Sequence, residues 1–528
     1  MHSRAVPASA PTARRDAAVT LADVVGHPAS LAVILAFGLG LRAHAVWHAH
    51  FDRDQAEFWE RALAVAAGRD LPLLGAAVSG TEARVPGSAY YYVIALPQLL
   101  TTHPLAGSAF TALLNLLAVW LLYRAAVLAW GLVHGACVLL LSIASPWVVA
   151  HGDRIWSANL LLPVSALALW SLAAVLHRPR TRAVAALALT FVVGPQMHPS
   201  ALWLWAVVAV PLLVRRPEVA WRWALAGAAL GLATYVPYLW HEIQTGFANT
   251  ALLASQPSSA RAPRLLLGLV LHFLSFATTD AAYLVVQGYW RGFEHVPFWT
   301  GDGPSRIARF YASLGVPALL WTSHGAGWTL MAVALMRAAR AWARARDRRG
   351  WLFDDLGRLL FASGVATLVV LYFVTGKAGY VHYLVPLLPL SFIPAVSLLV
   401  RLLRERRTAP LAVVYLFLAP VAGALVLAGF YRTDGRLSVG QQEAVIRYIL
   451  ARTEGSRPFE LHFSFPEGRG MTYGVLARAH LGLRWPVTER AHDVFTVTPA
   501  EDPPPPPTRG RVADVQTLGR LRVIHVRW

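Results

Sequence analysis

Apolar residues run together along most of this chain instead of alternating with polar ones. Windows of about 17 to 25 mostly apolar residues, the length a helix needs to cross a bilayer, fall at 29–47, 105–123, 127–149, 158–176, 183–196, 198–214, 223–240, 314–336, 356–374, 383–400 and 409–430. The pattern predicts an all-α polytopic membrane protein of about eleven transmembrane helices. The stretch 264–287 is apolar enough to be one more span. A further crossing there would invert everything after it, so it is read as lying in or near the outer interface.

Two long segments break the pattern. Residues 48–104 form a first outer loop with a helical stretch, "DQAEFWERALAVAAG" (54–68), and an apolar aromatic one, "GSAYYYVIALPQLL" (87–100). Aromatic residues favour the membrane interface, so both are drawn as helices along the outer leaflet. After residue 431 the period shortens. "SVGQQEAVIRYILAR" (438–452) reads as an amphipathic helix opened by a Ser438–Gln441 capping box, while 459–465, 493–498 and 521–528 alternate like strands. With "PPPPP" at 503–507 as a stiff spacer, residues 432–528 are expected to form a small α/β extracytoplasmic domain. Residues 29–431 would then be the transmembrane catalytic domain and 1–28 a cytoplasmic tail.

Composition agrees with the pattern. Of 528 residues 56% are hydrophobic and 14% charged, against about a quarter charged in soluble chains, and the mean hydropathy is +0.48. The net charge of +19 would suit a nucleic-acid partner in a soluble protein. Here the arginines cluster at 14–16, 177–182, 215–222, 337–350 and 401–407, all on one side of the expected topology. That is the positive-inside pattern, and it argues for membrane lipids and no nucleic acid. The N-terminus and the early loops fall in the order of a bacterial plasma-membrane protein, with the N-terminus cytoplasmic and the C-terminal domain outside. No small-residue cleavage site follows the first span, which is read as retained. Cys137 is the single cysteine, so no intrachain disulfide forms.

The chemistry gathers at "HAHFDRDQAEFWERA" (48–62), which sets Asp52, Asp54 and Glu57 just beyond the first span. Asp54 followed three residues later by Glu57 is itself a helix-capping pattern. Its position is what suggests catalysis: carboxylates at headgroup depth, beside an aromatic segment, are placed to deprotonate a hydroxyl while a lipid-anchored donor lies in the adjacent leaflet. His48 and His50 with Asp52 offer imidazole and carboxylate to a divalent ion. Beyond these, no spacing calls for a metal, and no cofactor is required. No phosphate-cradling G-x-x-x-x-G-K-[ST] occurs.

Four stretches together resemble a known family. "D-Q-A-E-F-W-E-R-A" (54–62), "PGSAYYYVIALPQLL" (86–100), "DRIWSANLLLPVSALALW" (153–170) and "GKAGYVHYLVPLLPL" (376–390) occur in that order. They are similar to segments of GT-C-type membrane glycosyltransferases, in particular the bacterial group of aminoarabinose lipid A transferases and protein O-mannosyltransferases. The resemblance implies transfer of a sugar from a polyprenyl-phosphate donor to an envelope acceptor (lipid, polysaccharide or protein), with inversion at the anomeric carbon. It implies that the acid matching Asp54 is the general base. Gln55 stands where the family commonly has a second acid, which leaves Asp52 and Glu57 as alternates. The leaving phosphate needs fixed positive charge. Lys377 is the single lysine among 47 basic residues and is the first candidate for that role, followed by Arg84 and Arg154. Tyr90, Tyr91, His198, His382 and Tyr383 would line the substrate cavity. Rival readings are a transporter or flippase of lipid-linked saccharides, and an oligosaccharide ligase or polymerase using a polyprenyl-diphosphate donor. A transporter calls for ionisable groups in mid-membrane, and the spans carry almost none beyond Arg42.

Overall fold

A computed structural model of the chain describes residues 17–78, 81–255, 264–278, 303–375, 381–434, 437–453, 457–464, 470–489, 491–503 and 510–527. The protein is a bundle of helices with a four-stranded sheet unit at one end. Among the described residues, five helical segments are long and apolar enough to cross a membrane: Pro28–His48, Leu105–Trp130, Ser157–His177, His382–Arg404 and Ala409–Arg432. Shorter apolar helices stand between them, including Leu132–Ile143, Ala183–Met197 and Leu356–Val370.

Several expected spans are helices interrupted for identifiable reasons. Gly131, at φ 92° and ψ 172°, ends Leu105–Trp130 and starts Leu132–Ile143, a conformation open to glycine alone at little cost. Pro386 and Pro389 sit in the 3₁₀ stretch Val381–Ser391 that leads into the Phe392–Arg404 helix, where missing N–H donors disfavour α-helix. Helix Arg264–Ser275, expected in or near the outer interface, packs into the protein at its C-terminal end. His272, Phe273, Leu274, Phe276 and Thr278 are buried, Trp147 and His272 meet ring to ring at 4.6 Å, and Phe276 accepts a hydrogen bond from the Ser145 hydroxyl through its carbonyl at 3.3 Å. An almost wholly apolar helix gains more from burial among its neighbours than from a wet boundary. The rest of that stretch, from 279 on, lies outside the described residues.

In the C-terminal unit the strands are β1 (Phe459–Phe463), β2 (Asp493–Pro499), β3 (Arg511–Leu518) and β4 (Leu521–Arg527). The sheet order is β1-β2-β4-β3. β1 pairs parallel with β2, and β4 runs antiparallel to both β2 and β3. β3 was not foreseen. It is an edge strand exposed along most of its length, so it shows no strict inside–outside alternation. Helix Val439–Arg452 begins where expected, but Ser438 makes no side-chain cap. Gln441 instead accepts from the backbone N–H of Arg520, at 3.0 Å, in the β3–β4 turn.

This unit is not a separate bead. Val445, Ile446, Ile449, Phe459, Phe495, Val497 and Val523 share one buried cluster with Phe51, Phe58, Trp59, Tyr90 and Tyr91 of the first large loop. The two expected loop helices are present, as Arg53–Ala66 and Ala89–Ala95. Their aromatic faces turn inward onto the unit, while Leu96, Leu99 and Leu100 stay exposed.

A buried ionic group makes one contribution to the sheet's pH response. Asp493 accepts from His525 Nε2 at 2.7 Å and Arg527 Nε at 2.8 Å. Burial pushes the Asp493 carboxyl up, but the hydrogen bonds and charges of Arg527 and His525 outweigh it and hold the carboxyl below its ordinary value. The folded state thus binds this proton less readily than the unfolded chain. Its stabilisation is complete above the unfolded carboxyl range, about 4, and is lost as pH falls through the folded value. An Asp493→Asn protein should therefore show a shallower loss of thermal midpoint below about pH 4 than the native chain, followed by circular dichroism in detergent.

Candidate active site

The helix Arg53–Ala66 starts two residues earlier than the Asp54–Glu57 pattern predicts. Asp52, with extended φ −103° and ψ −164°, is the N-cap. Its Oδ1 accepts from the Asp54 backbone N–H at 3.0 Å, and Gln55 Oε1 accepts in return from the Asp52 N–H at 3.2 Å. Asp52 and Gln55 are thus the capping box, and the residue that departs from the family's acidic pair is a fully buried part of it. The local cause is distant in sequence. Phe51 N–H donates to the Leu437 carbonyl at 2.9 Å, and the Phe51 carbonyl accepts from Gln442 Nε2 at 2.6 Å. These bonds hold residue 51 extended against the C-terminal unit, so the chain can turn helical only after it. Asp54 then lies in the first helical turn and is exposed, with Glu57 half-buried one turn on. A carboxylate there sits in the favourable field of the helix N-terminus.

The opposite face of this helix buries Phe58, Trp59 and Ala62. Phe58 meets the rings of Tyr90 and Tyr91 at 5.2 and 6.1 Å, and the two tyrosines lie 5.6 Å apart. The Arg61 guanidinium is 5.0 Å from the Tyr91 ring centre, and its Nε is 3.0 Å from Asp70. Both tyrosines are fully buried, yet neither phenol oxygen has a hydrogen-bond partner among the described residues. Burial raises the Tyr90 phenol well above its ordinary value, and Tyr91 and Asp54 raise it further. Burial likewise raises Tyr91, against the pull of Arg61. Both are therefore O–H donors at any physiological pH. A buried unpaired donor costs about 1–3 kcal/mol, a cost that a bound ligand or ordered water relieves.

Arg84 is held on the same side. Its backbone N–H donates to Asn249 Oδ1 at 2.7 Å, its carbonyl accepts from Asn249 Nδ2 at 3.0 Å, and Ala77 pairs with it in an isolated β-bridge. Its Nη1 is buried without a hydrogen-bond partner among the described residues. Gly87 connects Arg84 to the tyrosines at φ +87°, and a Cβ there would collide with the Gln196 side chain. Gln196 Oε1 in turn accepts from the Ala89 N–H at 3.3 Å. Gly87→Ala should lower stability by about 1–3 kcal/mol through backbone strain and disturb Tyr90 and Tyr91 with it, measurable as a fall in thermal midpoint.

A second group of the expected residues meets elsewhere. His198 lies 5.3 Å from His382 and 5.2 Å from Tyr383, ring centre to ring centre, and Trp156 lies 4.7 Å from His382. His198 Nδ1 also accepts from the Ser200 N–H at 3.2 Å, capping Pro199–Leu202. Arg154 is buried and makes a bidentate pair with its neighbour Asp153, at 2.6 and 2.5 Å, and the Tyr431 hydroxyl donates to the same carboxylate at 2.7 Å. Sequence reasoning missed Asp153 and Tyr431, 278 residues apart; the Asp-Arg dipeptide at the head of the third motif was the only signal. Arg42 is buried in the first long helix and donates to Asn115 Oδ1 at 2.8 Å and to the Gly38 and Ile143 carbonyls at 3.0 and 3.1 Å. It ties three helices together. Lys377 lies outside the described residues. Among the described residues, His48, His50 and Asp52 do not converge as a ligand set. An apolar cavity of about 120 Å³ between Trp130, Leu169, Asp355 and Phe392 holds none of these candidates.

The whole-chain architecture matches solved structures. ArnT from Cupriavidus metallidurans, bound to undecaprenyl phosphate, superposes with a TM-score of 0.50 at 13% identity over 94% of this chain and 98% of that one. Its apo form gives 0.47 at 13% identity over 95% and 98%. The Archaeoglobus fulgidus oligosaccharyltransferase gives 0.44 at 12% identity over 86% of this chain and 64% of that one. No family model and no curated relative matches the sequence. This chain has the fold of ArnT, the GT-C fold, with helices long and apolar enough to cross a membrane and a small C-terminal sheet.

Proposed function

We propose that this chain is an integral membrane glycosyltransferase that moves a sugar from a polyprenyl-phosphate donor to a hydroxyl of an envelope acceptor, a lipid, polysaccharide or protein. The observation that carries the reading is the first large loop. Asp54 leads a capped helix whose buried face packs directly on Tyr90 and Tyr91, and these offer two buried O–H donors with no hydrogen-bond partner among the described residues. The fold supports it, since the similar ArnT structure holds undecaprenyl phosphate.

In this reading Asp54 takes the proton from the acceptor hydroxyl. The oxygen attacks the anomeric carbon from the face opposite the phosphate, the bond from carbon to phosphate oxygen breaks, and the polyprenyl phosphate leaves with its negative charge. Arg84, with a buried Nη1 unpaired among the described residues, and Lys377 stabilise that charge. Arg154 is already engaged by Asp153, which assigns it first to the cavity wall. Glu57 is the alternate base. Asp52, as the cap, acts through the helix start. His198, His382, Tyr383 and Trp156 form an aromatic wall for the sugar or the lipid phosphate. The protein sits in a bacterial plasma membrane with its N-terminus cytoplasmic, residues 29–431 as the catalytic domain and 432–528 outside. The step needs no metal or cofactor.

The test combines two measurements. Purified protein in lipid nanodiscs is given polyprenyl-phosphate sugars and, separately, polyprenyl-diphosphate saccharides, while cell envelopes with and without Asp54→Ala are compared by mass spectrometry. Turnover of the monophosphate donor and a missing envelope mass are expected. Turnover of the diphosphate alone would assign a ligase or polymerase instead. No turnover of either donor, with an unchanged envelope, would overturn the glycosyltransferase reading.

A further inference from the structure

Away from these residues, three side chains from three segments converge where the C-terminal unit meets the first large loop. His103 closes that loop, Glu443 lies in the first turns of helix Val439–Arg452, and His480 ends the π-helical stretch Leu476–His480. One ligand atom of each lies within 4.8 Å of the others. His480 Nε2 is 2.9 Å from Glu443 Oε1, and the His103 and His480 rings are 4.8 Å apart, edge to face. All three are half-buried.

A His–Glu hydrogen bond alone would account for His480 and Glu443. Neither that bond nor the cap His103 makes on the Leu105 N–H calls for the third side chain to bring a ligand atom within 4.8 Å of the other two. Two imidazoles and one carboxylate are a ligand set suited to zinc-like ions. Bonds of about 2.0–2.2 Å place cis donors roughly 3 Å apart, close to the present spacing of His480 and Glu443. His103 Nδ1 now accepts from the Leu105 N–H at 3.1 Å, and an ion on either nitrogen displaces that cap, on Nδ1 directly and on Nε2 because the proton then moves to Nδ1.

We infer that His103, Glu443 and His480 bind one zinc-class divalent ion, with water completing its shell, and that the ion clamps the C-terminal unit onto the first large loop. The clamp bears on the candidate active site because Trp59, on the helix that carries Asp54, packs edge-on against His480 at 6.3 Å. The ion's role is structural, since it touches none of the residues assigned to the reaction. The inference stands whether or not the glycosyltransferase reading does, because its readouts do not include turnover.

The experiment uses the full-length protein, stripped of metal with a chelator and held in detergent or nanodiscs. Zinc, cobalt and magnesium are added separately, retained metal is counted by elemental analysis, and thermal midpoints are recorded with and without each ion. About one zinc per chain, a raised midpoint with zinc or cobalt but not magnesium, and the visible cobalt band of a four- or five-coordinate N/O site are expected. His480→Asn and Glu443→Gln keep hydrogen-bonding groups and should preserve the metal-free midpoint while weakening zinc binding by more than about tenfold. No retained zinc and no cobalt band in the native chain would overturn the inference. So would zinc binding that both variants leave unchanged, or a lost metal response in variants whose metal-free midpoint has collapsed and which His103→Asn, a milder change at the rim, fails to reproduce.

Discussion

An Asp54→Asn protein should transfer sugar at least about 100-fold more slowly than the native chain at equal expression, the lower bound for loss of a positioned general base. The substitution removes one negative charge and keeps size and hydrogen-bonding reach. It also leaves the capping box untouched, because that box is made by Asp52 and Gln55, so the thermal midpoint should hardly move. Asp52 supplies the control. Asp52→Asn keeps a good N-cap and should retain both fold and rate, whereas Asp52→Ala should cost about 1 kcal/mol of stability with only an indirect loss of rate. Equal loss of rate in Asp52→Asn and Asp54→Asn would mean that the pair acts as a unit. Full activity of Asp54→Asn, with Glu57→Gln inactive, would move the base one turn along the helix.

This separation of roles was half legible in the sequence. The residue types, their place after the first apolar run and their order among the four motifs all pointed to residues 52–57. The division of labour among them did not follow, because a local rule placed the cap at Asp54 while the structure places it at Asp52. The deciding bonds come from Leu437 and Gln442, some 390 residues away, and no window of sequence contains them. The same holds for Asp153 with Tyr431 and for His103 with Glu443 and His480. Hydropathy, in contrast, is summed over about 20 residues, so the long helices were readable, and the breaks within them fall at residues with a backbone reason such as Gly131, Pro386 and Pro389. The edge strand Arg511–Leu518 was missed because its exposure carries little alternation. That the end of helix Arg264–Ser275 packs into protein was not readable, because hydropathy cannot distinguish burial in protein from burial in lipid.

The Arg154–Asp153 pair is where fold and function are hardest to separate, and a two-variant experiment separates them. Both side chains are almost wholly buried, and Asp153 takes two hydrogen bonds from Arg154 and one from Tyr431. Arg154→Leu strands a buried carboxylate and should cost about 3–5 kcal/mol, among the largest effects of any single change in this protein. Measured as a thermal midpoint in detergent, it should bring the chain to the edge of folding. Asp153→Asn added to Arg154→Leu removes the stranded charge, and Tyr431 keeps an oxygen to bond. The double variant should recover most of the lost stability, since breaking a buried pair costs far more than replacing it. That recovered protein is the useful one. If Arg154 only props the wall formed near Trp156, the folded double variant should bind a polyprenyl-phosphate donor within a few-fold of the native chain. If its guanidinium reaches the phosphate as well, donor binding should stay weakened after the fold has been restored, by the factor of about 10 or more that a charge-assisted hydrogen bond of 1.5–3 kcal/mol represents.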